Sequence, residues 1–118
     1  MKDERFRYLA IRIHSQEEIG EEEFARELWS SAYSLFGDLG VSRINLKLIR
    51  YSYPFAVVRC SHTSVEMLRS SLACMKEVNG KELCVQVLGI SGTIKTAIEK
   101  FIQKRLSELG KAENHMSS

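Results

Sequence analysis

From Phe6 to Ile13 the chain alternates: Leu9, Ile11 and Ile13 fall on one face, and Tyr8, Ala10 and Arg12 on the other. A period of two predicts a strand. Ser15 to Gly20 is a polar break. From about Glu21 to Leu39 the period lengthens, and Phe24, Leu28, Ala32, Leu35, Phe36 and Leu39 form one helical stripe. Glu17, Glu18, Glu21, Glu22 and Glu23 crowd the start of this helix, where the macrodipole favours negative charge, and Gly37 and Gly40 mark its end.

Alternation returns from Arg43 to Arg50, with Ile44, Leu46 and Leu48 against Asn45, Lys47 and Ile49. Tyr51 to Pro54 is a turn, and Phe55 to Cys60 is a third strand, so an antiparallel hairpin is expected. Thr63-Ser64-Val65-Glu66 has the form of a capping box and predicts a second helix on the stripe Val65, Leu68, Leu72 and Met75. Asn79-Gly80 stops it. Glu82 to Leu88 is a fourth strand, Gly89 to Gly92 a turn, and Thr93 to Leu109 a third helix on Ile94, Ala97, Ile98, Phe101, Ile102, Leu106 and Leu109.

The order β-α-β-β-α-β-α predicts an α+β, ferredoxin-like fold: a four-stranded antiparallel sheet with two crossover helices on one face, plus a C-terminal helix. Residues 1–110 form one domain in this reading, and 111–118 a polar, disordered tail. The other sheet face is left open or is partly covered by the third helix.

Length and composition narrow the class. The 118 residues suffice for one core, and a formal net charge of +2 does not announce a nucleic-acid binder, so any RNA contact must use local charge. The three cysteines, Cys60, Cys74 and Cys84, form no Cys-x-x-Cys pair; reduced, partly buried thiols in a cytoplasmic protein are expected. Met1 to Arg5 is charged and leads straight into a strand, which predicts no signal peptide. No apolar run approaches the ~20 residues that span a bilayer, so no membrane partner is expected.

No catalytic constellation stands out among His14, His62 and His115. Cys60 and His62, joined by Cys74 or Cys84, would make a zinc site without the usual paired spacing. The Glu17 to Glu27 run reads as a solvated helix start rather than a Mg²⁺ site, which needs convergent oxygens. The informative segment is Gly89 to Thr96. A strand ends, a glycine-flexed turn follows, and a helix begins, presenting unpaired N–H groups to an anion. Ser91, Gly92, Thr93 and Lys95 are the candidate phosphate contacts, and Lys100 and Lys104 extend a basic strip opposite the apolar stripe. A plain strand-to-helix connection with a hydroxyl cap is the alternative. On the open sheet face, Tyr8 and Phe55 with Arg12, Lys47 and Arg59 only partly fit a base-stacking platform. Ile49, Phe55 and Val57 there suggest a protein-partner surface instead.

Arg7-Tyr8-Leu9, Val57-Val58-Arg59-Cys60 and above all Ser91-Gly92-Thr93-Ile94-Lys95, leading to Phe101-Ile102, resemble one family. It is the small ferredoxin-like protein subunit shared by archaeal and eukaryotic ribonuclease P, protein component 2 in archaea. The resemblance runs from about Arg7 to Leu109, and the compact length suggests an archaeal member. It implies a non-catalytic subunit that supports the catalytic RNA in 5′-end maturation of precursor tRNA. Its implied partners are the ribonuclease P RNA, a barrel-shaped protein subunit of the same enzyme and, indirectly, precursor tRNA. It implies no cofactor on this chain, with Mg²⁺ used by the RNA. The competing readings are a ferredoxin-like RNA-binding module or a small-molecule regulatory domain unrelated to tRNA processing. An acylphosphatase-like enzyme fits poorly, because His14-Ser15-Gln16-Glu17-Glu18 would repel phosphate.

Overall fold

The periods in the sequence become elements with at least one buried side, and the first and third strands are buried on both. The computed structural model describes residues 5–103. The elements are β1 (Phe6–Ser15), α1 (Glu21–Ile44), β2 (Lys47–Ser52), β3 (Phe55–Ser61), α2 (Val65–Ala73), β4 (Glu77–Val78), β5 (Lys81–Ser91) and α3 (Ile94–Thr96), which runs on as a π-helical segment, Ala97–Gln103. The strands form one antiparallel sheet in the order β2-β3-β1-β5-β4.

One sheet face carries the main core. Leu9 and Ile11 of β1 and Val58 and Cys60 of β3 meet Phe24 and Leu28 of α1 and Leu68 and Leu72 of α2, all at most 1% exposed. Burying each such large apolar side chain is worth about 1.5–3 kcal/mol. The buried Ser31 hydroxyl donates to Ser71 O at 2.7 Å and ties α1 to α2. Glu23 anchors the start of α1. Its Oε1 accepts from Gly20 N–H at 3.1 Å and its Oε2 from Asn79 Nδ2 at 2.7 Å, with Lys81 Nζ 3.5 Å away. These partners hold its carboxyl below the usual carboxylate range, the Asn79 hydrogen bond foremost.

Several expectations are corrected. The sheet has five strands rather than four, because a two-residue β4 pairs with Lys81 and Glu82. Asn79-Gly80 is therefore a hairpin turn, with φ of 50° and 82°, and not the stop of α2, which ends at Ala73. The first helix does not end near Leu39. Gly37, at φ 68° and ψ −175°, does end a first helical stretch, as expected, but a second stretch follows directly across the kink and buries Val41 and Ile44. Leu35 and Leu39, placed on the buried stripe, are 43% and 78% exposed. Arg43 and Ile44 thus belong to the helix, Asn45 caps it at φ 54°, and β2 begins only at Lys47.

The capping box at Thr63 to Glu66 does not form. Ser64 is the N-cap, but its hydroxyl donates to Arg43 O at 3.2 Å, a tertiary link rather than a cap. The fourth long strand continues through Gly89 and Ile90 to Ser91, past a register shift opposite Ala10 and Ile11. The third helix beyond Gln103, with Lys104, Leu106, Leu109 and the 111–118 tail, lies outside the described residues.

Candidate nucleic-acid interface

The turn after β5 is built by its own hydroxyls. Thr93 is extended, at φ −137° and ψ 153°, and its Oγ1 accepts the Thr96 N–H at 3.2 Å. Ser91 Oγ accepts the Thr93 N–H at 3.2 Å, and Ala97 N–H closes the first helical bond onto Thr93 O. Thr93 Oγ1 also donates to Thr96 Oγ1 at 2.9 Å, so both its lone pair and its O–H are used within the turn, whereas Ser91 keeps its O–H. Ile94 and Lys95 precede the first intrahelical bond, so their N–H groups have no partner within the helix. Gly92 is exposed and open, with an added Cβ reaching nothing nearer than Arg7 Nη1 at 4.0 Å. Arg7 thus joins the turn from β1, a neighbour that only the strand pairing reveals.

Lys95 and Lys100 are exposed, and Lys100 Nζ lies 5.7 Å from the Phe101 ring centroid. Lys104 lies outside the described residues, so the structure brings together Ser91, Gly92, Thr93 and Lys95 with Lys100 further along the helix.

The helix is held against the sheet by a small second core. Ala10, Phe55, Val57, Ala97 and Ile102 are buried together, with Tyr8, Ile49, Leu88, Ile98 and Phe101 around them. Gly89 is not a turn residue; a Cβ there would stand 2.3 Å from the Phe101 ring. Its lack of a side chain is what lets the ring lie on β5. This packing corrects the expected partner surface. Phe55 and Val57 are 3% and 0% exposed, covered by the chain's own C-terminal segment, and Ile49 is half-buried. The apolar stripe of that segment seeks the nearest apolar face, and the outer sheet face supplies it.

The remaining candidates separate. Cys60 is in the main core, where burial pushes its thiol up to about 11, while Cys74 and Cys84 are exposed rather than partly buried. His14 Nε2 is 2.8 Å from Gln86 Oε1, and His62 Nδ1 is 3.2 Å from Arg5 O. No group of three or more His, Cys, Asp or Glu converges among the described residues. On α1, the exposed Trp29 and Tyr33 rings lie tilted at 6.2 Å between centroids, and Leu35 and Leu39 are also exposed.

The model of the Rpp14/Pop5 family matches residues 7–102. A Methanosarcina mazei protein named ribonuclease P protein component 2 is 40% identical over 97 residues, covering 82% of this chain and 84% of that protein. The protein of the same name from Pyrococcus horikoshii is 35% identical over 100 residues, 83% of each. A chain in the structure of yeast ribonuclease MRP is similar in fold, with a TM-score of 0.64 at 14% identity, covering 99% of this chain and 97% of that one.

Proposed function

Because the chain belongs to the Rpp14/Pop5 family, we propose that it is a non-catalytic protein subunit of ribonuclease P, supporting the RNA in 5′-end maturation of precursor tRNA. The observation that carries this reading is the match over residues 7–102, reinforced by relatives named for that role at 32–40% identity. In this reading the RNA subunit cuts the leader and holds the Mg²⁺, and the protein positions it. The strand order β2-β3-β1-β5 of the four longer strands, with α1 and α2 on one face, supports a ferredoxin-like assignment to which β4 is an addition.

The Ser91 to Lys95 turn is the proposed phosphate contact, with Lys100 and Lys104 widening it. A helix start with N–H groups lacking intrahelical acceptors favours an anion, and Lys95 in its first turn opposes the dipole until an anion arrives. The proposed protein partner is a barrel-shaped subunit of the same enzyme. Of the three residues first expected to receive it, only Ile49 is still partly accessible. Trp29, Tyr33, Leu35 and Leu39 on α1 supply the exposed apolar area such a partner needs.

The test is reconstitution with ribonuclease P RNA, the partner subunits and precursor tRNA. The wild-type chain raises 5′ cleavage by the complex and gives none alone. Lys95→Ala leaves folding within ~0.5 kcal/mol, weakens RNA association, and shrinks the salt slope of binding by about one counterion. Wild-type affinity and slope in Lys95→Ala would move the contact elsewhere. Failure of the chain to associate with the RNA or its proteins would refute the assignment.

A further inference from the structure

One row of side chains crosses the outer sheet face just outside the area covered by the C-terminal segment. Lys47 of β2 lies opposite Arg59 of β3, Arg59 opposite Tyr8 of β1, and Tyr8 opposite Ser91 of β5. Residues directly opposite in a ladder share a face. That face is the outer one, because Tyr8 packs with Ala10, Phe55 and Val57 rather than with the main core. The row therefore runs Lys47–Arg59–Tyr8–Ser91 and ends at the Gly92 turn. The next positions inward, Val57 and Ala10, are both 0% exposed, whereas Lys47 is exposed and Arg59, Tyr8 and Ser91 are half-buried.

The row has the chemistry of a nucleotide rather than of a bare phosphate. The Arg59 guanidinium carbon lies over the Phe6 ring, 4.2 Å from its centroid, and Arg59 Nη2 donates to Asn45 Oδ1 at 3.3 Å. Its Nε is buried and has no hydrogen-bond partner among the described residues. Phe6 pairs with Ser61 in the next row out, so two aromatics and a planar cation stand side by side at the rim. Neither row contains a carboxylate, and the ion pairs among the described residues are Glu66–Arg69 and Glu23–Lys81, so Lys47 and Arg59 have no acidic partner among the described residues. At the opposite end of β1 and β5 the surface groove is lined instead by Glu17, Glu77 and Glu82. A near-neutral chain thus carries a basic, aromatic end and an acidic end on one sheet.

We propose that this row binds an unpaired stretch of RNA, one base stacking on Tyr8 beside the Arg59–Phe6 pair. Flanking phosphates lie toward Lys47 on one side and toward Ser91 and its turn on the other. The inference rests on the RNA-subunit reading above and deepens it. Three inter-strand spacings of about 4.8 Å separate the ends of the row, and a four-stranded sheet takes about two or three bases in this way. A duplex keeps its base faces stacked inside the helix and cannot use Tyr8 or Phe6, whereas a single strand offers both a base face and a phosphate.

The experiment titrates the full chain with a fluorescently labelled octaribonucleotide of mixed sequence, and with the same strand annealed to its complement. The single strand binds in preference to the duplex. Tyr8→Leu, which keeps apolar volume, weakens it about tenfold or more, as loss of one stacked base does. Tyr8→Phe restores wild-type binding, and Lys47→Ala lowers the salt slope by about one counterion. Urea unfolding of each variant separates binding from folding. Equal affinity of wild type and a folded Tyr8→Leu overturns the inference, as does preference for the duplex or no binding of the single strand. If the chain still assembles on ribonuclease P RNA and responds to Lys95→Ala in those cases, the row alone is refuted. If it does not assemble, the RNA-subunit reading falls with it.

Discussion

Gly89→Ala tests how the C-terminal helix is seated, and so what holds the basic strip beside its turn. An alanine Cβ would stand 2.3, 2.4 and 2.5 Å from Cε1, Cζ and Cδ1 of Phe101. Carbon atoms rest about 3.5–4.0 Å apart, so the ring must retreat by more than about 1 Å. It cannot do so alone, because it packs with Ala10, Phe55, Val57 and Ile102. Overfilling a packed contact costs about 1–3 kcal/mol. Phe101→Leu removes the ring and with it the clash, so in that background Gly89→Ala costs about 0.5 kcal/mol or less. Urea unfolding of the two single variants and the double variant should give a coupling energy of about 1 kcal/mol or more, within the range of contacting residues. Hydrogen exchange across residues 97–103 should rise in Gly89→Ala alone. A single-variant cost under about 0.5 kcal/mol, or strictly additive costs, would show that the ring does not rest on Gly89 and would refute this account of the docking.

Phe24→Ala removes a ring at 0% exposure that packs 5.7 Å from Tyr51, and should cost about 3–5 kcal/mol by urea unfolding. Iodoacetamide with mass spectrometry should label the exposed Cys74 and Cys84 in the native protein and reach buried Cys60 only after denaturation. Burial, with Tyr53 and Glu18 nearby, pushes Tyr51 up to about 12, and its hydroxyl donates to Ile19 O. The unfolded phenol ionises first, so this stability is fully present below about pH 10 and is lost as pH rises toward about 12; Tyr51→Phe should flatten that limb of a stability–pH curve.

The hydrophobic periods placed the centres of the long elements and much of the inner core, but not the element ends. Leu9, Ile11 and Ile13 alternate because β1 has one face on the helices, and Leu68 and Leu72 recur because α2 has one stripe on the sheet. Local hydrogen-bonding chemistry was legible where it closed on itself, as in the Thr93 cap. It was not legible where a partner distant in sequence competed. Ser64 has the form of a cap residue, yet its hydroxyl goes to Arg43 O. Gly37 does break the helix, but the second helical stretch beyond it was not legible, because it forms where Val41 and Ile44 find the core.

The candidate site divides along the same line. Ser91, Gly92, Thr93 and Lys95 are contiguous, so their spacing alone announced the turn. Tyr8, Arg59 and Lys47 lie far apart in sequence and become neighbours only through the register of three strands. Phe55 and Val57 looked like an open surface for the complementary reason: strand alternation tells which residues share a face, not what covers it. The α+β class and the Ser91 to Lys95 turn were determined by the sequence itself, through local periodicity and contiguous motifs. Which face is buried, which aromatics remain at the rim, and where the cations gather were decided by tertiary structure, because burial and register depend on contacts between segments that no local pattern encodes.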